Sequence, residues 1–286
     1  MDIELRHLRA LVAIADAGTI TGGAVRLRVA QPALSRTLRQ LETRVGVTLV
    51  DRSTRHLRLT ASGSALCERA RAILGAVDDA LAETAGPRPL RLGYNWAALG
   101  RHTTPLLRGW RHARPDVPIE VHRIEDRTAG LGRGTVDIAF LRTRPAAATL
   151  RAEPLYREPR LAVLPEGHPL AGREDLDLAD LADQTIAICL PYGTTSLDLW
   201  LPERRPTTVV EVDNVDEWLT VIASGAAVGV TPDGTRHIHP YPGVHYLPLR
   251  DAPAITVYLG WTDGPGHPAR ADFLAHLRDT VAPSSM

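Results

Sequence analysis

A polar helix near the N-terminus carries side chains suited to contacting DNA bases. Residues 21–46 read TGGAVRLRVAQPALSRTLRQLETRVG, a pattern typical of two helices joined by a tight turn. From about Pro32, a period of about 3.6 residues places Leu34, Leu38, Leu41 and Val45 on one apolar stripe. Arginine can donate two hydrogen bonds to guanine, glutamine pairs with adenine, and serine reaches bases or phosphates. The polar face and its flanks therefore predict major-groove contacts, made by Gln31, Pro32, Ser35, Arg36 and Arg39.

The distribution of charge separates a basic head from an acidic body. The whole chain is neutral, with 33 basic and 33 acidic residues. Residues 1–60 hold ten arginines and five acidic residues, a net charge of +5, so the remainder carries −5. A basic head favours contacts with DNA phosphates. Composition alone also permits an ordinary solvated amphipathic helix. Only the order of the residues can distinguish such a helix from one that contacts DNA.

The neighbouring elements complete a helical head with a wing. Leu5–Ala17 is predicted to form the first helix, which ends before Gly18. Two β-prone stretches flank Arg52 and Arg55, which are predicted to contact phosphate or the minor groove, or merely to lie on a basic hairpin. The long amphipathic segment Ala61–Glu83 lacks a globular neighbour in the sequence, so self-pairing of this helix in a dimer is the simplest expectation.

This order of residues resembles the N-terminal signature of LysR-type transcriptional regulators. The matching positions are 30–36 at the entry of the recognition helix, Leu41, Glu42 and Gly46 at its exit, and 49–52, Leu59, Thr60 and Gly63 around the wing. Two departures are visible: Ala30 replaces a capping serine, and Gly22 and Gly23 replace better helix formers. The resemblance implies a dimerising linker helix, a homotetramer built from two homodimers, binding to promoter or operator DNA, and contact with RNA polymerase.

Alternating strands and helices follow a break at residues 86–89 and predict a mostly parallel α/β architecture. The predicted strands are 90–94, 119–122, 136–141, 161–164, 185–188, 208–212, 227–230 and 255–261, and the predicted helices are 104–113, 215–224 and 268–281. Two small lobes joined by crossing strands would form a ligand-binding cleft. Segments 165–171, 178–181 and 225–230 resemble landmarks of the LysR effector domain, so the resemblance extends over nearly the whole chain.

The predicted fold is α/β overall, with an N-terminal all-α winged helix-turn-helix, a long linker helix and a two-lobed effector domain like that of periplasmic binding proteins. The predicted domains are 1–60 for DNA binding, 61–86 for the linker and dimerisation helix, and 87–286 for effector binding. Within the last, lobe I comprises about 88–160 and 255–286, and lobe II about 161–254.

Candidate effector-binding residues lie at the carboxyl ends of strands, where open α/β sheets bind ligands. Trp96 and Ala97 follow the first strand, and Trp96 either stacks on a flat effector or fills the cleft. Arg142 occupies a position where LysR-type relatives can carry an arginine that binds a carboxylate, although a rim arginine paired with a local acid is the alternative. The hydroxyl-rich loop with Thr194 and Thr195 suits a carboxylate or phosphate, or simple helix capping.

Asp126 and Thr128, in the loop after the second strand, complete the effector-binding set. The segment from Glu125 to Thr135 is short and contains three glycines, which predicts a shortened or broken helix where the family usually has one. The identity of an effector therefore does not follow from the resemblance.

Several classes of function are disfavoured. No catalytic motif is present, and His237, His239 and His245 lack the supporting carboxylates or cysteines of a metal site, so we expect neither an enzyme, nor a metal, nor a cofactor. Cys67 and Cys189 are predicted to be buried, inert thiols. The absence of a secretory signal or of a roughly 20-residue apolar run predicts a cytoplasmic protein without a membrane partner.

The leading interpretation is a LysR-type DNA-binding regulator whose sensor domain binds a small anionic effector. Two alternatives stay open at this point. One is a regulator whose cleft is filled and unresponsive, and the other is a two-lobed small-molecule-binding protein with a vestigial DNA-binding head.

Overall fold

A computed structural model describes residues 3–51, 57–84, 88–147, 149–264 and 266–281. The chain divides into two compact units, Met1–Arg88 with Gly132–Thr135 and Pro89–Leu131 with Val136–Met286. The first unit holds the predicted DNA-binding helices together with the long helix. The second unit holds both predicted lobes.

The first unit is built from four helices and a short β-ribbon. The helices are α1 (Leu5–Ala17), α2 (Ile20–Leu27), α3 (Gln31–Val45) and α4 (Ala61–Glu83), and the ribbon pairs β1 (Val50–Asp51) with β2 (Arg58–Leu59). Leu11 and Ile14 of α1 and Leu38 and Leu41 of α3 are completely buried in its core. The predicted bounds of α1 and α4 are confirmed, and α3 begins one residue before the predicted start.

The two departures from the family pattern have local explanations. Ala30 precedes α3 in an extended conformation without a side-chain hydrogen bond, and Pro32 lies in the first turn with its preset backbone angle. A Cβ on Gly23 would lie 3.1 Å from the Cα of Ile14, so a glycine here lets α2 approach α1 closely. Gly23 therefore lowers the helix propensity of α2 but allows α2 to pack closely against α1.

Hydrogen bonds join α3 to the wing, and the wing to α4. The Glu42 carboxylate accepts from the backbone N–H groups of Leu49 (2.9 Å) and Val50 (3.3 Å). The Thr60 hydroxyl accepts from the N–H of Gly63 at 3.0 Å and so caps α4. A Cβ on Gly63 would lie 1.9 Å from the carbonyl oxygen of Leu49, so only glycine fits there. These contacts explain why the signature residues Glu42, Thr60 and Gly63 occur together.

Lobe I is a five-stranded sheet covered by helices α5 (Thr103–Ala113) and α8 (Arg270–Val281). Its strand order is β4 (Ile119–Arg123), β3 (Leu90–Tyr94), β5 (Ile138–Leu141), β12 (Ile255–Thr262) and β6 (Leu150–Glu158). Strands β4, β3 and β5 are parallel, whereas β12 runs antiparallel to both β5 and β6. The sheet is therefore mixed, and the prediction of a mostly parallel sheet was wrong for the half that contains the returning strand β12.

Lobe II lies between the two parts of lobe I in the sequence. Its antiparallel sheet has the order β10 (Gly229–Pro232), β7 (Arg160–Pro165) and β11 (Val244–Pro248), beside a parallel pair of β8 (Ile186–Cys189) and β9 (Val209–Val212). Helix α6 (Val215–Ala223) packs on these strands through Trp218 and Ile222, and the short helix α7 (Gly234–Ile238) follows β10.

Three elements were absent from the sequence-based prediction, namely β6, β11 and α7. Strand β6 lies at the edge of the sheet, with β12 as its only neighbour among the described strands, and most of its side chains reach solvent. Its sequence therefore lacks the regular alternation of polar and apolar residues by which a strand is predicted. In the segment from Glu125 to Thr135 the regular structure is one 3-10 turn, Leu131–Arg133, which agrees with the predicted loss of the usual helix.

Candidate functional site

One face of α3 is free to meet DNA. Gln31, Pro32, Arg36 and Arg39 are exposed, while Leu34 and Leu38 on the other face are buried. Arg36 makes no hydrogen bond or ion pair within the described residues, so its guanidinium is available to a base edge. The helix thus presents donors and acceptors outward while its apolar stripe holds it in the core.

One residue of the predicted DNA-contacting set is placed differently from the expectation. Ser35 is only 7% exposed, and its Oγ lies 3.5 Å from Nη2 of Arg39, whose long side chain reaches back across one helical turn. The assignment of Ser35 to the exposed face was therefore wrong, because its position borders the buried stripe. Arg52 and Arg55 of the predicted wing lie outside the described residues.

A cleft of about 670 Å³ lies between the two lobes of the second unit. Lobe I contributes Arg127, Arg142, Thr143 and Ile255, and lobe II contributes Arg160 with residues 188–190 and 193–198. The lining combines three guanidinium groups with the hydroxyl groups of Thr194 and Ser196, whereas the Thr195 hydroxyl donates to the carbonyl of Val230 at 2.6 Å. Such a set of donors is suited to a small anion. Thr194 and Thr195 both belong to this lining, and their binding of an effector stays a prediction.

Trp96 does not line this cleft. It is 5% exposed and packs edge-on against Tyr192 and Trp218 of lobe II, with ring centroids 5.9 and 5.7 Å apart. Its indole N–H donates to the hydroxyl of Thr235 at 2.8 Å and lies 3.3 Å from that of Thr231. The indole N–H has its acceptor, and the ring has its packing partners, within the protein. In this structure Trp96 therefore fills space between the lobes instead of presenting a stacking surface.

Ala97 is also completely buried in the lobe II cluster. The next residue, Ala98, has a left-handed backbone (φ 41°), a conformation that is costly for a residue with a Cβ. Its carbonyl accepts a hydrogen bond from Arg142 Nη1 at 3.1 Å. The loop after β3 therefore binds Arg142 through a backbone carbonyl, and its own side chains do not line the cleft.

Arg142 is a buried member of an ion pair. Its side chain is 1% exposed, and its Nε donates to Oε1 of Glu158 at 2.6 Å. The other carboxylate oxygen of Glu158 accepts from the backbone N–H of Gly234 at 2.9 Å. The alternative interpretation of Arg142, an arginine paired with a local acid, describes this geometry, although the pair is deeply buried and not at the rim. Nη2 of Arg142 has no hydrogen-bond partner within the described residues.

Asp126 and Thr128 form a local turn. One Asp126 oxygen accepts from the N–H and the hydroxyl of Thr128, both at 2.8 Å, and from the N–H of Gly130 at 3.2 Å. This is the Asx-type arrangement in which a carboxylate stabilises its own loop. The residue between them, Arg127, is exposed and lines the cleft, although it was not among the predicted residues.

Arg160 is a second cleft residue that the sequence-based prediction missed. It begins β7, all of whose residues are buried, and it is itself 6% exposed. Its Nε donates to the carbonyl of Pro253 at 3.0 Å, and burial lowers the pKa of its guanidinium. The available signal was an arginine at the start of an otherwise apolar strand, RLAVLP, where a buried charge requires a partner.

The remaining candidates have structural partners. His239 Nε2 lies 2.9 Å from the carbonyl oxygen of Trp96, and His237 lies 3.3 Å from Asp233. Cys67 and Cys189 are free and buried as predicted, and burial raises the pKa of the Cys189 thiol to about 11.

Among the described helices, none combines the length and the hydropathy needed to cross a bilayer.

Comparison with known families matches both units. Residues 5–64 match the model of the bacterial regulatory helix-turn-helix protein, lysR family, and residues 85–282 match the LysR substrate binding domain. The chain is 32% identical to an uncharacterised HTH-type transcriptional regulator of Escherichia coli, YnfL, with 98% of this chain and all of that protein covered. It is 28% identical to HcaR, the hca operon transcriptional activator of the same organism, over 98% of this chain and 99% of the relative.

Solved structures show the same fold along the whole chain. CbnR, a LysR family transcriptional regulator, has a TM-score of 0.67 at 23% identity and covers 98% of this chain and all of its own. A variant of full-length OxyR from Pseudomonas aeruginosa has a TM-score of 0.61 at 25% identity and covers 98% of this chain and 95% of its own. With both family models matched in order and a relative aligned from end to end, the chain belongs to the LysR family of DNA-binding transcriptional regulators with an effector-binding domain.

Proposed function

We propose that this protein is a ligand-responsive regulator in which paired α3 helices bind an interrupted palindrome and a small anion in the interlobe cleft changes its effect on transcription. The observation that carries this proposal is the exposed set of Gln31, Arg36 and Arg39 on a helix whose opposite face is buried in the core. These side chains match base edges, and the basic charge of residues 1–60 matches the phosphates.

The effector is proposed to bind at the arginine-rich and hydroxyl-rich cleft, whose lining includes Arg127 from lobe I and Thr194 from lobe II. An anion that contacts both lobes favours a closed arrangement, because it binds that arrangement more tightly than an open one. We propose that this closure shifts the placement of subunits on DNA and thereby alters contact with RNA polymerase.

The alternative of an unresponsive regulator draws on the burial of Trp96 between the lobes. Trp96 fills one part of the interlobe space, but a cleft of about 670 Å³ persists beside it, which is ample for a small ligand.

The function is tested by footprinting the purified protein on the intergenic DNA upstream of its own gene across a salt series. We expect protection of an interrupted palindrome, with affinity falling steeply as salt rises because bound counterions are released. Protection that shows no preference for any sequence would contradict the proposal and point to the two-lobed cleft as the functional part.

Self-association through α4 is the proposed basis for binding two half-sites. Ile73 and Leu81 lie on the apolar side of α4 and are 46% and 62% exposed, so this stripe lacks a cover in the isolated chain. We propose that a second copy covers it, giving a homodimer, and that two dimers form a homotetramer as in the family.

Ile73→Lys is expected to weaken self-association by about tenfold or more, since it places a charge in an apolar helix interface. Sedimentation velocity over a concentration series measures this effect. Glu68→Lys introduces the same residue at an exposed position on the other side of α4 and serves as the control. Equal association of both variants and the unmodified protein would show that this stripe is not the interface.

A further inference from the structure

We propose that Arg160 anchors the effector and that the cleft selects a compact, aliphatic dianion. The inference rests on the proposed function of the cleft as the effector site and names the chemical class of its ligand. A short dicarboxylate and an inorganic oxyanion such as phosphate share this chemistry, and the experiment below distinguishes them.

The Arg160 guanidinium is buried without a full set of hydrogen-bond partners. The residue is 6% exposed, yet its Nη1 atom has no hydrogen-bond partner within the described residues. Its Nε donates to a neutral group, the carbonyl oxygen of Pro253. A buried cation without a carboxylate or phosphate partner is expensive, so a protein retains one where a ligand supplies the missing anion.

The acidic residues near the cleft are engaged by other groups. Glu158 is the acidic residue closest to Arg160 in sequence, but its two oxygens are occupied by Arg142 and by the backbone of Gly234. Asp198, which also lines the cleft, is paired with Arg205 at 2.9 Å.

Arg160 and Arg127 therefore contribute two positive charges that form no ion pair with a described acidic side chain, although the Glu158 carboxylate acts on Arg160 electrostatically. Two guanidinium groups without an ion-pair partner match a ligand with two negative charges better than a monoanion. The hydroxyl groups of Thr143 from lobe I and of Thr194 and Ser196 from lobe II supply further donors in the same cleft.

The side chains that line the cleft also indicate the shape of the ligand. The apolar part of the lining is aliphatic, from Ile188, Leu190, Leu197 and Ile255. The aromatic ring nearest to this wall in sequence, that of Tyr192, is turned into the core of lobe II, where the residue is 4% exposed. Because none of the described lining residues presents an aromatic face, this lining offers no stacking surface to a benzoate-like ligand. It suits a short carbon chain between two anionic ends.

The test compares the full-length protein with Arg160→Met and with the control Arg151→Met. Arg151 is 62% exposed on β6, is paired with Asp263 and does not line the cleft among the described residues. Succinate, inorganic phosphate and benzoate are each titrated by calorimetry and by thermal melting, with ionic strength held constant by potassium chloride. DNA binding by each variant is measured separately, so that failure of the regulator function itself is detected independently.

We expect succinate or phosphate to raise the melting temperature of the unmodified protein and of Arg151→Met saturably, and benzoate to have no such effect. The preferred dianion then identifies the source of the ligand. For Arg160→Met, the affinity for that dianion should fall by about tenfold or more, since a charge-assisted hydrogen bond is lost. Without ligand, Arg160→Met should melt at or above the temperature of the unmodified protein, because it removes a buried, unsatisfied cation.

The melting temperature without ligand distinguishes an arginine that binds the effector from one that stabilises the fold, because removing a stabilising arginine lowers the melting temperature. If Arg160→Met fails to fold, Arg160→Gln retains an N–H donor and removes the charge. Undiminished dianion binding in either variant would overturn the assignment of Arg160. Preference for benzoate, or binding of neither dianion by a protein that still footprints its operator, would overturn the ligand class and leave the regulator function intact.

Discussion

Arg36→Ala is expected to lower the affinity for the specific DNA site by about 1–3 kcal/mol, which is roughly five-fold to more than a hundred-fold in Kd, and to relax preference at one base pair. The side chain is exposed in the middle of α3 and has no partner within the described residues. Its removal therefore leaves the core and the free energy of unfolding nearly unchanged. Fluorescence anisotropy with the footprinted site and a scrambled duplex, at several salt concentrations, measures the loss.

Arg9→Ala provides the matched control for this prediction. Arg9 is an exposed arginine of α1 in the same unit, so its removal takes away the same charge from a different helix. We expect it to change binding to both duplexes alike or not at all. An equal loss on specific and scrambled DNA for Arg36→Ala, with a reduced salt slope, would show that Arg36 contacts a phosphate and that another residue reads the base.

The helical head could be predicted from the sequence because its information is local. The apolar period places Leu34, Leu38 and Leu41 correctly, and the residue types at Gly18 and Pro32 mark the helix end and start. Ser35 shows the limit of this reasoning, because a residue beside the apolar stripe can be covered by a long neighbour such as Arg39. The apolar period predicts burial for residues at the centre of a helix face, but it does not predict burial for residues at the edge of that face.

The cleft could be predicted only as a location. Strand ends identified the loops that meet there, including the one with Thr194 and Thr195. Which side chains face the cleft depends on packing between distant segments: Trp96 is held by Thr235, far along the chain, and Arg142 is held by Glu158. Arg160 escaped notice because β7 was predicted to begin at residue 161, after it.

The buried pair of Arg142 and Glu158 changes what a substitution at Arg142 is expected to do. From the sequence, Arg142→Ala should abolish the effector response and leave operator binding intact. In the structure, Glu158 is 5% exposed and depends on Arg142 for its charge balance. Removing the arginine leaves a buried carboxylate without its cation, so the dominant effect should be loss of stability in the second unit.

We expect Arg142→Ala to lower the free energy of unfolding by about 3–5 kcal/mol, the usual effect of breaking a buried ion pair from one side. For a unit of this size the melting temperature should fall by roughly 6–20 °C. Arg278→Ala is the control, because its pair with Glu153 is similar in distance at 2.9 Å but about half exposed. That variant should lose no more than about 1 kcal/mol.

A double-mutant cycle with Arg142→Met and Glu158→Gln separates the pair from its surroundings. Glu158→Gln keeps an acceptor for the N–H of Gly234 but removes the charge, so the double variant should be more stable than the sum of the single losses predicts. Strict additivity would mean that the two side chains do not stabilise each other. In that case Arg142 would be held chiefly by the carbonyl of Ala98, and its unsatisfied Nη2 would have to be regarded as a second ligand contact beside Arg160.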